Sequence, residues 1–166
     1  MNAAWRAGAA MLAVGAALGL ASVPATAAPN ASGAQLNVYR DPGDPNFTRV
    51  TMSGLFPMEQ ADAQGFLNNI RTGAQPGGME YLLYADDEGS GDGIKQRFWV
   101  PGSDRFPGYD ISATSTGLAH TLVVNLPNGV LNEDDGEDEF YVKATFVDAD
   151  GGRRSQVSNA ISGSWG

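Results

Sequence analysis

The sequence predicts an all-β fold: an antiparallel sandwich of about seven or eight strands with one short helix inserted. Three observations lead there. Glycine takes 22 of 166 positions, well above its usual share of about 7%, and lysine is scarce. Apolar residues come in short runs punctuated by Gly, Pro, Asn and Asp. The best-defined run, EFYVKATFV, sets Phe140, Val142, Ala144 and Phe146 on one face and Tyr141, Lys143 and Thr145 on the other. That alternation is what a half-buried strand requires.

In chain order, Gln35 to Arg40 and Phe47 to Gly54 form the first two strands, joined through the turn Asp41-Pro42-Gly43-Asp44-Pro45. One segment then breaks the pattern. In PMEQADAQGFLNNIRTG, Ala63, Phe66, Leu67 and Ile70 recur at i, i+3, i+4 and i+7, the stripe of an amphipathic helix. Pro57 suits its start, Glu59 and Asp62 lie near the positive end of its dipole, Arg71 near the negative end, and Gly73 closes it. So short a stripe is expected to cap an open end or flank of the sheets rather than to bind a partner.

Gly78 to Ala85 and Ile94 to Val100 follow as strands, and Pro101-Gly102 turns the chain again. Tyr109 to Thr114 and Leu118 to Leu126 pair across the turn Ser115-Thr116-Gly117. Glu139 to Val147 and Arg153 to Ser162 complete the set, around the hairpin corner DADGG. Asn159 falls between Val157 and Ile161 on the same face, so the last strand carries a bulge or lies at an edge.

The first residues read MNAAWRAGAAMLAVGAALGLASVPATAAPN: one cation, Arg6, an apolar run from Ala9 to Leu20, then Pro24 and the small-x-small pattern Ala25-Thr26-Ala27. This is the plan of a secretory signal, and the run is shorter than the roughly 20 residues a membrane span needs. Residues 1–28 are therefore expected to be a removable signal peptide, 29–34 a flexible segment, and 35–166 a single β-sandwich domain. The protein is expected to be secreted, with no membrane anchor after signal removal. Its Ala- and Gly-rich usage fits a bacterial source.

There is no cysteine, so the domain must hold itself together by its core, without disulfides or a lipid-bearing thiol. The formal charge of -9 argues against nucleic acid and anionic membrane as partners, since both are bound through clustered Lys and Arg. The acids gather at Asp86-Asp87-Glu88 with Asp92, and between Glu133 and Glu139. Both stretches contain glycine and read first as solvated loops.

The segment LVVNLPNGVLN, continuing through DEFYVKATFVDADGGRRSQVSNAIS, resembles the last strands of an immunoglobulin-like or fibronectin type III-like sandwich. An extended connection with Leu and Pro leads to an aromatic-rich strand, a hairpin and a Ser-Asn-containing final strand. The resemblance covers about the last third of the chain, at superfamily level. The Cys-Trp-Cys core marks of antibody domains are missing, and the inserted helix is a departure. The resemblance implies adhesion, recognition or structural packing more than catalysis.

No catalytic constellation is legible. His120, the one histidine, sits in GLAHTLVV on a face shared with Leu118 and Leu122, and is expected to be half-buried and hydrogen-bonded. No G-x-S-x-G elbow occurs, and one histidine without cysteine disfavours zinc. Glycoside hydrolysis needs only two carboxylates, for which Glu80, near Tyr81 and Tyr84, comes closest. Its simpler reading is an outward-facing glutamate on an amphipathic strand. Trp99 and Trp165 are candidates to face a ligand, although such residues more often cover a core or an edge.

No metal or cofactor is assigned, but calcium has candidate ligands in Asp86, Asp87, Asp92, Asp148 and Asp150. DADGG does not match an EF-hand loop, so a site would need two loops to meet. With eight strands and connections alternating between ends, 86–93 and 148–152 share an end and 133–139 lies opposite. If 109–114 is not a strand, the two acidic runs share an end and the corner stands alone. The eight-strand count is preferred. The expected function is non-catalytic: an extracellular interaction or structural module, its partner a protein or cell-surface component. The alternative is a small secreted carboxylate-dependent hydrolase, which would show a cleft with a perturbed carboxylate rather than a flat apolar patch with a polar rim.

Overall fold

The computed structural model describes residues 33–41, 43–72, 77–85, 93–132 and 138–165. In chain order these form β1 (Gly33–Arg40), β2 (Phe47–Pro57), α1 (Gln60–Arg71), β3 (Gly78–Ala85), β4 (Gly93–Pro101) and β5 (Tyr109–Thr114). Then come β6 (Gly117–Pro127), α2 (Asn128–Leu131), β7 (Asp138–Val147), β8 (Arg153–Val157) and β9 (Ile161–Gly163). All strand pairings are antiparallel, in two sheets ordered β1-β2-β6-β5 and β4-β3-β7-β8, with β9 pairing on β7 beyond β8.

The alternation predicted for β7 is realised. Phe140, Val142, Ala144 and Phe146 point into one core with Met79, Tyr81 and Leu83 of β3 and with Val50, Met52, Leu118 and Leu122 of the other sheet. Phe56 on β2 meets Phe146 on β7 with ring centroids 6.2 Å apart, so the two inward faces share this core. Burying such side chains contributes about 1.5–3 kcal/mol each, the dominant favourable contribution in a chain without disulfides.

Helix α1 buries Ala63, Leu67 and Ile70, as its periodicity predicted, and leaves Phe66 half-buried with its edge against Phe146. Pro57 closes β2 rather than opening the helix, which starts at Gln60 behind Glu59. Gly73 lies outside the described residues; the C-cap is Thr72, whose N–H donates to the Asn68 carbonyl. The helix flanks β5 and β6, and Arg71 donates to the Ile111 carbonyl of β5 at 3.1 Å. A Cβ on Gly102 would overlap the Ile70 side chain, so this turn must be glycine for the helix to seat.

The last predicted strand is split, for a specific reason. Ser158 bonds the Val142 backbone twice, N–H to carbonyl and Oγ from N–H, both at 2.9 Å. Asn159 then turns its amide to β1, accepting from Leu36 N–H at 3.1 Å and donating to Leu36 C=O at 3.3 Å. The side chain imitates a strand peptide. It links the two sheets at one edge and covers backbone groups that β1 would otherwise expose.

Register corrects the predicted loop placement. Gly78 pairs with Val147 and Ala85 with Phe140, so β3 and β4 meet the start of β7 at one end of their sheet, and the β7–β8 corner lies at the other. Strand β5 exists, yet its count misleads. β4 ends level with Gly78, β5 ends at the β6 start opposite Pro57, and both run in the same direction. The connection 102–108 therefore carries the chain back along the fold instead of reversing it. The strand ends that bracket both acidic runs share an end, and the DADGG corner stands apart from them.

Asn159→Ala should leave Leu36 with two unmatched backbone groups. The expected loss is about 1–3 kcal/mol of unfolding free energy, read by urea denaturation, whereas Ser162→Ala on the exposed rim should cost less than about 0.5 kcal/mol.

Candidate functional site

The alternation of β3 aims two residues in opposite directions with different consequences. Tyr81 points inward and is fully buried; Glu80 points outward, yet is only 5% exposed. The register explains the second fact. Glu80 lies opposite Trp99 of β4 and Thr145 of β7. Arg97 reaches its Oε1 from β4 and Arg153 reaches its Oε2 from β8, each at 2.5 Å. Glu80 thus faces outward as its strand position predicts, but its carboxylate lies beneath two arginine side chains that are themselves more than half exposed.

Around this cluster the outward face of β4-β3-β7-β8 carries large side chains. Trp99 is 42% exposed, Ile94 56% and Val157 55%. Tyr84 and Tyr141, paired across β3 and β7, stack with centroids 5.0 Å apart and planes at 6°. Lys143 sits between Leu82 and Val157 in the cross-strand row, and Thr145 and Ser155 share a hydrogen bond at 2.9 Å. Glu139 lies near the far end of this face, where Ser162 donates to it at 2.7 Å. This face thus sets aromatic planes beside arginine side chains on a paired sheet, with both Glu80 oxygens engaged by the arginines.

His120, on β6 of the other sheet, meets the inward side of β3. Only 2% exposed, it is buried rather than half-buried, which corrects the expectation for it. Its Nδ1 meets the Tyr81 hydroxyl at 3.1 Å, its Nε2 meets Gln156 Nε2 at 2.9 Å, and Phe56 lies 5.3 Å from its ring. With the Gln156 amide donating to Nε2, the proton sits on Nδ1 and is donated to the Tyr81 oxygen. Burial lowers the imidazole pKa to about 3 and pushes the Tyr81 hydroxyl well above its usual range. Sealed in the core, His120 is a tie between sheets and reaches no substrate.

At the β7–β8 corner, Asp148 N–H donates to the Gly152 carbonyl at 3.0 Å, Gly151 N–H donates to the Asp148 carbonyl at 3.2 Å, and Gly151 has φ 91°. The Asp148 carboxyl is raised, chiefly by its hydrogen bond to Asp150, which is lowered by the same bond. Nearby backbone N–H groups of the turn act to lower both carboxyls, while Asp148 Oδ1 is buried without a hydrogen-bond partner. They line an open cleft of about 460 Å³ with Phe66, Asn69 and Ala149. Among the described residues no three His, Cys, Asp or Glu side chains gather in a way that could hold a metal. Asp86, Asp87 and Asp92 lie outside the described residues, and Asp148 and Asp150 stand at the end of the sheet away from the strand ends that bracket them.

Of the two candidate tryptophans, Trp165 is buried against Gly163, and Trp99 is the exposed one. Nothing in the sequence singles out Arg97, and Arg153 reads there only as opening a solvent-facing return strand beside the corner. Their role depends on which strands flank β3. Compared with family models, curated proteins and solved structures, the chain has no match.

The buried imidazole has a pH signature. Its folded pKa lies below the unfolded value of about 6.5, so its contribution is fully present above that pH and is lost as pH falls toward 3. Stability should drop by up to about 1.4 kcal/mol per pH unit between about pH 6.5 and 5, above the range where carboxylates titrate. Denaturant titrations at several pH values measure this slope. His120→Gln should flatten it in that window.

Proposed function

We propose that this protein is a secreted, non-catalytic extracellular binding module of immunoglobulin-like type, whose recognition surface is the outward face of β4-β3-β7-β8. The fold assignment is supported by strand order. β1-β2-β6-β5 and β4-β3-β7-β8 correspond to A-B-E-D and C′-C-F-G of that class, with α1 inserted between the second and third strands. The observation that carries the functional reading is Trp99, held half-exposed directly across from a glutamate that anchors two arginines. A large aromatic ring beside ordered guanidinium groups is the composition of binding hot spots.

The hydrolase alternative has one feature in its favour: Asp148 and Asp150, with carboxyls pushed apart in affinity for a proton, open on the cleft beside α1. Both residues sit in a turn closed by backbone bonds from Asp148 to Gly152 and from Gly151 to Asp148, which favours turn chemistry.

Co-sedimentation with a panel of insoluble cell-wall and extracellular-matrix materials, with soluble products assayed in parallel, separates the two. The expected result is retention on at least one material, reduced about tenfold or more in Trp99→Ala and unchanged in Asp148→Asn/Asp150→Asn, without product release. Product release that is abolished by the aspartate variant and untouched by Trp99→Ala would establish the hydrolase instead.

A further inference from the structure

Resting on the reading of this face as a binding surface, we infer that its ligand is an anionic polysaccharide, a polymer of sugar rings bearing carboxylates. The charge distribution selects the sign. The chain has a formal charge of -9, yet the centre of this face gathers Arg97, Arg153 and Lys143 around the single carboxylate of Glu80. The Trp99 cluster therefore carries a net positive charge on an acidic protein. Each arginine gives one nitrogen to Glu80 and keeps further N–H groups for a second carboxylate, already oriented by the first. Glu80 thus acts as a positioning residue for the two cations.

Sheet geometry selects the sugar. The face is formed by side chains of paired strands, and β3 and β7 spend their backbone groups on neighbours to either side. An extended peptide could pair only along the outer edge of β4 or β8, not across the face itself. Sugar rings instead offer flat C–H faces to an aromatic plane and hydroxyls to polar side chains. Trp99 supplies the exposed plane, and Ser155 in the same cross-strand row and Lys143 in the adjoining one supply polar partners. The negative charge of the protein elsewhere repels a polyanion, so binding concentrates on this one surface.

The test titrates the purified protein with polygalacturonate, with its fully methyl-esterified form, and with polyglutamate, following tryptophan fluorescence and mobility in affinity gels. Polygalacturonate should bind, the neutral ester about tenfold or more weaker, and polyglutamate not measurably. Raising salt from about 0.05 to 0.5 M should weaken binding several-fold. Trp99→Ala and Lys143→Gln should each weaken it, with melting temperatures within a few degrees of the parent; neither residue holds Glu80, so both variants retain its ion pairs. Equal, Trp99-dependent affinity for the neutral ester would overturn the anionic inference and leave the binding face standing. Equal binding of polyglutamate would overturn the sugar class. Salt-sensitive self-association by sedimentation, abolished by Lys143→Gln, would assign the face to a second copy of the chain. Binding to no polymer by any Trp99-dependent route would overturn both this inference and the reading on which it rests.

Discussion

The register of β3 between β4 and β7 is the constraint on which the rest depends. One residue, Tyr81, projects into the core and bonds His120 on the other sheet; the residue before it, Glu80, projects outward and collects Arg97 and Arg153. A slip of one position would bury a carboxylate among Phe140, Phe146 and Leu122 and expel a tyrosine into solvent. The cost of burying an unpaired carboxylate exceeds that of losing any single apolar contact. The inward and outward halves of the molecule are thus set by the same pairing, and the Trp99 face comes with the core.

One chain of buried polar groups joins the two sheets. Tyr81 belongs to β3, His120 to β6 and Gln156 to β8, so their chain of bonds crosses from the five-stranded sheet to the four-stranded one and back. Asn159 makes a second crossing at the edge, to Leu36. In a chain without disulfides these directional bonds add what dispersion and hydrophobic burial lack, a preference for one arrangement of the two sheets over neighbouring ones. Gln156 and Asn159 lie three residues apart near the C-terminal end of the described chain, which makes that segment a clasp rather than a trailing strand.

Strand identity was legible because it follows from local alternation: Gly78–Ala85 and Tyr109–Thr114 match their predicted bounds to the residue, and the stripe of α1 is buried as read. Loop placement was not, because it depended on a direction that no local pattern encodes. β4 and β5 run the same way, and 102–108 has no signal that distinguishes a return along the fold from a simple reversal. The burial of Glu80 was hidden for a related reason. Arg97 and Arg153 are 17 and 73 residues away from it, and only the order β4-β3-β7-β8 brings both within reach. His120 showed its face correctly, shared with Leu118 and Leu122, while its depth depended on Tyr81 and Gln156 arriving from the other sheet.

The same register decides between the two acidic features of the β7–β8 hairpin and the flat face beside it. Asp148 and Asp150 lie beyond Val147, where β7 has left the sheet, in a turn closed by Asp148 N–H to the Gly152 carbonyl and Gly151 N–H to the Asp148 carbonyl. Arg153 follows three residues after Asp150, and its side chain points to Glu80, not back to the aspartates. Arg154, the next residue, faces the other way and lies over the Phe66 ring at 5.3 Å. The paired arginines are thus divided by strand alternation, one to the outward face and one to the helix that flanks the core. The hairpin directs positive charge onto the sheet while keeping its own negative charge at the corner, and that separation leaves the Trp99 face cationic on an acidic protein.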